Sequence, residues 1–208
     1  RDAGANITDL SPYFDTSKYL TPSSDILALM LIEHQTGMHN RLNRASYAIR
    51  QAMHRQHSLQ KLFAEPHSDV PKGSALSVLQ SQAEKILKYL LFADEHPLTD
   101  DGIDPGDHYR DAFLADRQPD ADGRSLKDLQ LRTRLFKYRC SYMIYSDSFD
   151  HLPATLKSHI YTRLHTILDG ADTTGDYDHH SSSERRKIKS ILLATKPGFA
   201  QAAATASR

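Results

Sequence analysis

The sequence predicts an all-α protein, an irregular helical bundle of about five helices organised around one long N-terminal helix. Three observations carry this. Every periodic apolar segment steps by three or four residues, and no pair of segments alternates as two paired strands would. The longest, Ser24 to Met53, keeps one unbroken stripe through Leu27, Leu31, His34, Met38, Leu42, Ala45 and Ile49. Connections of ordinary length between most of the later helices favour antiparallel packing.

Residues 1–23 carry Pro12, Tyr13, Phe14, Tyr19, Leu20 and Pro22 and read as an extended arm that docks through its aromatics. Ser23 or Ser24 caps the first helix, with Asp25 in its first turn. No proline follows before Pro66, so this helix is expected to run to about His57. Ile26, Leu29, Met30 and Ile32 widen its apolar surface, so its first two turns are expected to be buried nearly all round.

The second helix spans Ser74 to about Asp94, on Leu76, Leu79, Ala83, Ile86, Leu87, Leu90 and Leu91. Residues 94–124, broken by Pro97, Gly102, Pro105, Gly106, Pro119 and Gly123, form a long irregular loop with one short helix from Tyr109 to Ala115. Its acidic cluster of Asp100, Asp101, Asp104 and Asp107 lacks EF-hand spacing and reads as a solvated loop. Ser125 and Asp128 open a third helix that runs to Ile144 and puts Cys140 on its apolar stripe as a small buried hydrophobe. A fourth begins at Asp150–Pro153, continues through Leu156, Ile160, Leu164 and Leu168, and stops at Gly170. The loop 172–180 ends in His179 and His180, an exposed histidine pair. Ser181 and Glu184 cap a fifth helix through Leu193, ended by Pro197-Gly198. Residues 24–196 thus form a single helical domain, and 197–208 a disordered tail.

Composition narrows the function. The 208 residues suit one domain with one core. Lys+Arg and Asp+Glu both number 26, so no global field draws the chain to nucleic acid or an anionic membrane, and no aromatic-basic platform for nucleic acid is present. No apolar run reaches the roughly twenty residues of a membrane span. Cys140 is the only cysteine, which excludes an intrachain disulfide, a thiolate-rich metal site and covalent haem attachment through Cys-x-x-Cys-His. Phosphate-cradling glycine loops, nucleophile elbows and paired Glu-x-x-His motifs are absent. The start at Arg1-Asp-Ala-Gly, without an initiator Met or a signal peptide, reads as a fragment or a processed product.

The chemistry that remains is on the first helix. His34 and Met38 share its apolar stripe and are the first candidates for haem or metal ligands, with His39 the second histidine. His39 lies about 140° from His34 around the helix, so one ion cannot take both from this helix alone. Glu33, Asn40, Tyr142 and Tyr145 are candidates to orient the ligand ring. Gly37 costs about 1 kcal/mol relative to alanine inside a helix, which points to close approach of another backbone or a flat ligand there.

Four stretches then resemble a known group: Thr8–Ile26 (TDLSPYFDTSKYLTPSSDI), Ala28–Leu42 (ALMLIEHQTGMHNRL), Cys140–Asp150 (CSYMIYSDSFD) and Thr195–Gly198 (TKPG). Together they resemble the C-terminal helical region of uncharacterised exported bacterial proteins of cytochrome c-like type. The resemblance implies a periplasmic or exported setting and a haem-bearing N-terminal part or redox partner. Three readings follow. The first is a non-catalytic helical module of a redox protein, packing against or helping ligate a haem held elsewhere. The second is a metal-binding bundle, a small metalloenzyme or sensor built on Glu33, His34, His39 and a residue from the third helix. The third is a purely structural interaction domain in which His34 is hydrogen-bonded core.

Overall fold

The computed structural model describes residues 7, 9–20, 22–98, 102–105 and 107–206. Among them run α1 (Ile26–Leu62), α2 (Gly73–Leu90), α3 (Asp107–Leu114), a 3-10 turn (Tyr142–Tyr145), α4 (Asp147–Asp150), α5 (Ala154–Leu168), α6 (Ser182–Thr195) and α7 (Pro197–Ala206). The all-α bundle built on a long first helix is therefore what the chain forms. The only strand-like pairings among the described residues are two isolated bridges, Asp9 with Ser23 and Leu129 with Phe136.

Asp25, not Ser23 or Ser24, caps α1, its carboxylate accepting from the N–H of Leu27 and Ala28. The expected stripe is buried from Leu27 through Ile49. Leu29 and Ile32, however, are 59% and 55% exposed, so the first two turns have an open apolar side and are not buried all round. The arm departs from expectation in the same way. Tyr13, Phe14, Tyr19 and Leu20 are all exposed, and Phe14 meets only Tyr19 edge-on at 5.9 Å among ring contacts.

α1 and α2 lie antiparallel. Gln56 bonds the N–H of Lys72 just before α2, while His34 meets Tyr89 and Phe92 at its far end. α2 also packs on α5, which in turn supports α6 and α7. Each of α1, α2 and α5 ends in a Schellman motif, whose C′ residue takes positive φ. In α5 that residue is Gly170, at φ 76°, and the fit is free of strain. In α2 it is Phe92, at φ 56°, which holds a bulky side chain in a conformation that favours glycine. That turn delivers the Phe92 ring onto His34.

The third helix expected over Ser125–Ile144 does not form. Residues 125–141 fold as a narrow non-helical excursion, with Leu131 at φ 61° and the Leu129–Phe136 bridge. The Gln130 side-chain carbonyl accepts from the N–H of Arg132, Thr133 and Arg134, satisfying donors that a helix would have paired along its axis. Phe136, Tyr138, Cys140 and Tyr142 then alternate into the core. Arg139 locks the segment to α6 through paired bonds to Glu184, and Arg124 does so through Asp120 and Ser190. Cys140 is fully buried as expected, and burial pushes its thiol well above the usual range.

Residues 197–206, expected to be disordered, form α7, and Phe199 on it is completely buried. Of the acidic cluster, Asp100, Asp101 and the Asp107 side chain lie outside the described residues, as do the arm's first six. Among the described residues no helix is long and apolar enough to cross a membrane.

Candidate functional site

Three buried polar residues, His34, Ser141 and His180, meet at the C-terminal end of α2. His34 reaches it from α1. Its ring is 7% exposed and is held between Tyr89 (centroids 5.2 Å, 7° between planes) and Phe92 (5.0 Å, 14°). Its Nε2 lies 2.6 Å from Ser141 Oγ. The same oxygen accepts from the N–H of Met143, so Ser141 joins the His34 ring to the start of the 3-10 turn. Burial, with Arg41 nearby, lowers the His34 pKa to about 4, so the ring is neutral at pH 7.

Ser141 also donates its N–H to Leu90 O at 2.7 Å, closing an orphan carbonyl at the end of α2. The next carbonyl, Leu91 O, accepts from both His179 Nε2 (2.8 Å) and His180 Nε2 (3.0 Å). The histidine pair expected in an exposed loop is thus a C-terminal cap, with His180 1% exposed and its Nδ1 buried without a hydrogen-bond partner.

The candidate ligands do not converge. His34 directs Nε2 at buried Ser141, and Met38 is wholly buried in the core. His39 is exposed, with Nδ1 3.0 Å from Ser148 Oγ beside α4. Glu33 and Asn40 are exposed and not bonded to the His34 ring. Tyr142 OH accepts from Gln35 (2.9 Å), and Tyr145 OH pairs with Thr195 (2.6 Å). Both faces of the His34 ring are covered and its Nε2 is at hydrogen-bond distance from Ser141, so ligation of a haem iron through Nε2 would require that contact to be given up. Sequence reasoning missed Ser141, Tyr89 and Phe92. The signal for one of them was Gly37, because the flat group that approaches it is Tyr89.

A Cβ added at Gly37 would sit 2.1 Å from Tyr89 Oη and 2.8 Å from Cζ. Gly37→Ala is therefore expected to tilt Tyr89 off His34 and break its bond to His34 O (3.3 Å). The net loss is about 1–3 kcal/mol despite the better helix former. Urea unfolding checks this, and Tyr89→Phe in the same background should restore part of the loss.

Beside His34 opens a cleft of about 800 Å³. His34, Tyr89 and Phe92 line it from within, and Met30, Leu98 and Leu135 add apolar surface. It is lined by charges of both signs. Arg41 and Arg44 on α1 and Lys85 and Lys88 on α2 line it, while Glu33, Asp94 and Glu95 gather toward the end of α2. The Arg41 guanidinium lies 3.8 Å over the Tyr89 ring, and Lys88 is paired with Asp176. Burial raises the Glu95 carboxyl pKa, opposed by its bond from the Leu135 N–H. Met38 and His39 are not among the lining residues. An aromatic floor with a guanidinium edge suits a flat, partly apolar group that carries an anion.

No family model matches the chain, and neither a curated protein nor a solved structure shows significant similarity to it.

Proposed function

We propose that this chain is a non-catalytic helical binding module whose α1/α2 cleft receives a flat group with an anionic edge. The observation that carries the reading is the cleft itself, lined by stacked Tyr89, His34 and Phe92, with Arg41 over the Tyr89 ring and Arg44 on the cleft wall. In the exported, periplasmic setting that the sequence resemblance implies, the group of that chemistry is a haem held by another part or by a redox partner. It packs against the cleft and takes no ligand from His34.

Titration of the chain with hemin, followed in the Soret band, tests this. Saturable binding is expected, weakened roughly tenfold in Arg41→Glu/Arg44→Glu, the scale of two solvent-facing ion pairs worth up to about 1 kcal/mol each. His34→Leu should leave the coordination spectrum unchanged. No saturable binding would overturn the cleft's role, and a six-coordinate spectrum abolished by His34→Leu would overturn packing without ligation.

The exposed Leu29 and Ile32 favour a second reading, an interaction domain that buries this face of α1 against a partner.

A further inference from the structure

We infer that His57, His67 and Asp69 form a binding site for a divalent first-row transition metal ion, with zinc the reference case, at the turn between α1 and α2. The site is separate from the cleft and rests on its own geometry. His57 lies in the last turns of α1, and His67 and Asp69 are on the loop that leads to α2. One ligand atom from each residue lies within 4.8 Å of the other two. Asp69 Oδ1 is 3.3 Å from His57 Nε2 and 3.2 Å from His67 Nε2, and the two rings are 4.3 Å apart at 43°.

The two separations from Asp69 Oδ1 match those at a tetrahedral ion. Bonds of about 2.0–2.1 Å from zinc to nitrogen or oxygen place neighbouring ligand atoms about 3.3–3.4 Å apart. Without an ion, His57 Nε2 donates to Ser68 O at 3.2 Å, and both Nε2 atoms lie within ion-pair distance of one carboxylate oxygen. Binding would place one cation between both Nε2 nitrogens and the carboxylate, each imidazole neutral with its proton on Nδ1, and would release the His57 bond to Ser68 O. Two imidazoles and one carboxylate form a mixed donor set that suits zinc, nickel or copper better than calcium or magnesium.

The loop is held in this shape by side chains that contribute no ligand. Gln56 Nε2 donates to Ser68 O and Val70 O, both at 3.0 Å, and its carbonyl accepts from Lys72 N–H at 2.8 Å. Gln60, itself buried, accepts from Ser68 N–H. Ala64 at φ 52° turns the chain back so that the loop lies along α1. Two glutamines one helical turn apart thus position His67 and Asp69 over His57. The His67 and Asp69 side chains are 66% and 82% exposed, so a bound ion keeps positions open to water or to a donor from outside the chain.

Calorimetric titration of the metal-free full chain with Zn²⁺, repeated with Co²⁺ and read by its visible absorption, tests the inference. One ion per chain is expected, with a Co²⁺ spectrum of low coordination number. His67→Ala and Asp69→Ala, both on exposed side chains that leave the core intact, should each weaken binding by more than about tenfold, the lower range for losing even an outer partner of a metal ligand. His151→Ala, at an exposed histidine elsewhere, should leave it unchanged. Absence of stoichiometric binding, or binding unaffected by His67→Ala and Asp69→Ala, would overturn the site.

Discussion

Phe199→Ala is expected to destabilise the protein by about 3–5 kcal/mol, the range for truncating a buried aromatic. The ring is completely buried on α7, stacked on His165 with centroids 3.8 Å apart and 12° between planes, and meets Tyr161 edge-on. Its carbonyl accepts from His165 Nε2 at 3.0 Å, so the pair is joined twice. Gly198 brings the backbone close to the Tyr161 ring, where an added Cβ would lie 3.1 Å from it, and leaves no slack for α7 to settle into the cavity. For a domain of this size the thermal midpoint should fall by about 10 °C. A midpoint within a degree of the parent protein would mean that α7 contributes nothing to the core and that the last residues behave as a tail after all.

That α7 was not legible in the sequence has a physical reason. Pro197-Gly198 ends α6, but proline is also suited to the first turn of a helix, where its missing N–H costs nothing. The same two residues therefore read equally as a stop and as a start, and only the pocket for Phe199, lined by Tyr161 and His165 of α5, decides. The segment 125–144 was ambiguous in a different way. Leu135, Phe136, Cys140, Met143 and Ile144 fit a helical stripe, while Phe136, Tyr138, Cys140 and Tyr142 fit alternation. The outcome rests on Gln130 capping a tight loop and on Glu184 holding Arg139 from 45 positions away, neither of which a local pattern contains.

By contrast α1, α2, α5 and α6 were legible because each buries a continuous stripe against a neighbour. The site divides along the same line. The stripe placed His34 in the interior, and Gly37 signalled a close approach. The hydroxyl that His34 bonds is 107 residues distant, and Phe92 arrives through a strained turn that no periodicity announces. The helical wheel separated His39 from His34, and the structure sets them on different surroundings, one against Ser148 and the other against Ser141.

The protein is also expected to lose stability between pH 6.5 and 4 because it buries neutral histidines. His34 has a folded pKa near 4, lowered first by burial and then by Arg41, against 6.5 when solvated. A histidine whose pKa is depressed by folding takes up its proton more readily in the unfolded chain. Its contribution is therefore present above pH 6.5, declines as the pH falls, and is gone once the pH passes below about 4. At about 1.4 kcal/mol per pH unit of difference, His34 alone accounts for on the order of 3 kcal/mol. His180 is lowered to about 4 as well, by burial and then by its neighbour His179, and acts in the same direction. Glu95, raised by burial, opposes both over the lower part of the range. Carboxylates whose burial is outweighed by hydrogen bonds, from Arg139 to Glu184 and from Thr174 and then Arg163 to Asp172, are lowered and add their losses only at the acid end.

The structural cause for His34 is specific. Protonation would place a charge on a ring enclosed by Tyr89 and Phe92 and facing Arg41, away from water. Urea unfolding at pH 7, 5.5 and 4.5 reads the effect. His34→Leu by itself leaves the buried Ser141 hydroxyl without its ring partner, at a cost of about 1–3 kcal/mol, whereas His34→Leu/Ser141→Ala removes both partners and should be nearly neutral at pH 7. The double variant should keep the acid loss due to His180 and lose the part due to His34, so its stability falls less steeply from pH 6.5 downward. An unchanged pH slope would show that His34 does not hold its neutral form through this range, and the stacked, serine-bonded ring would then not be the group that makes the fold acid-sensitive.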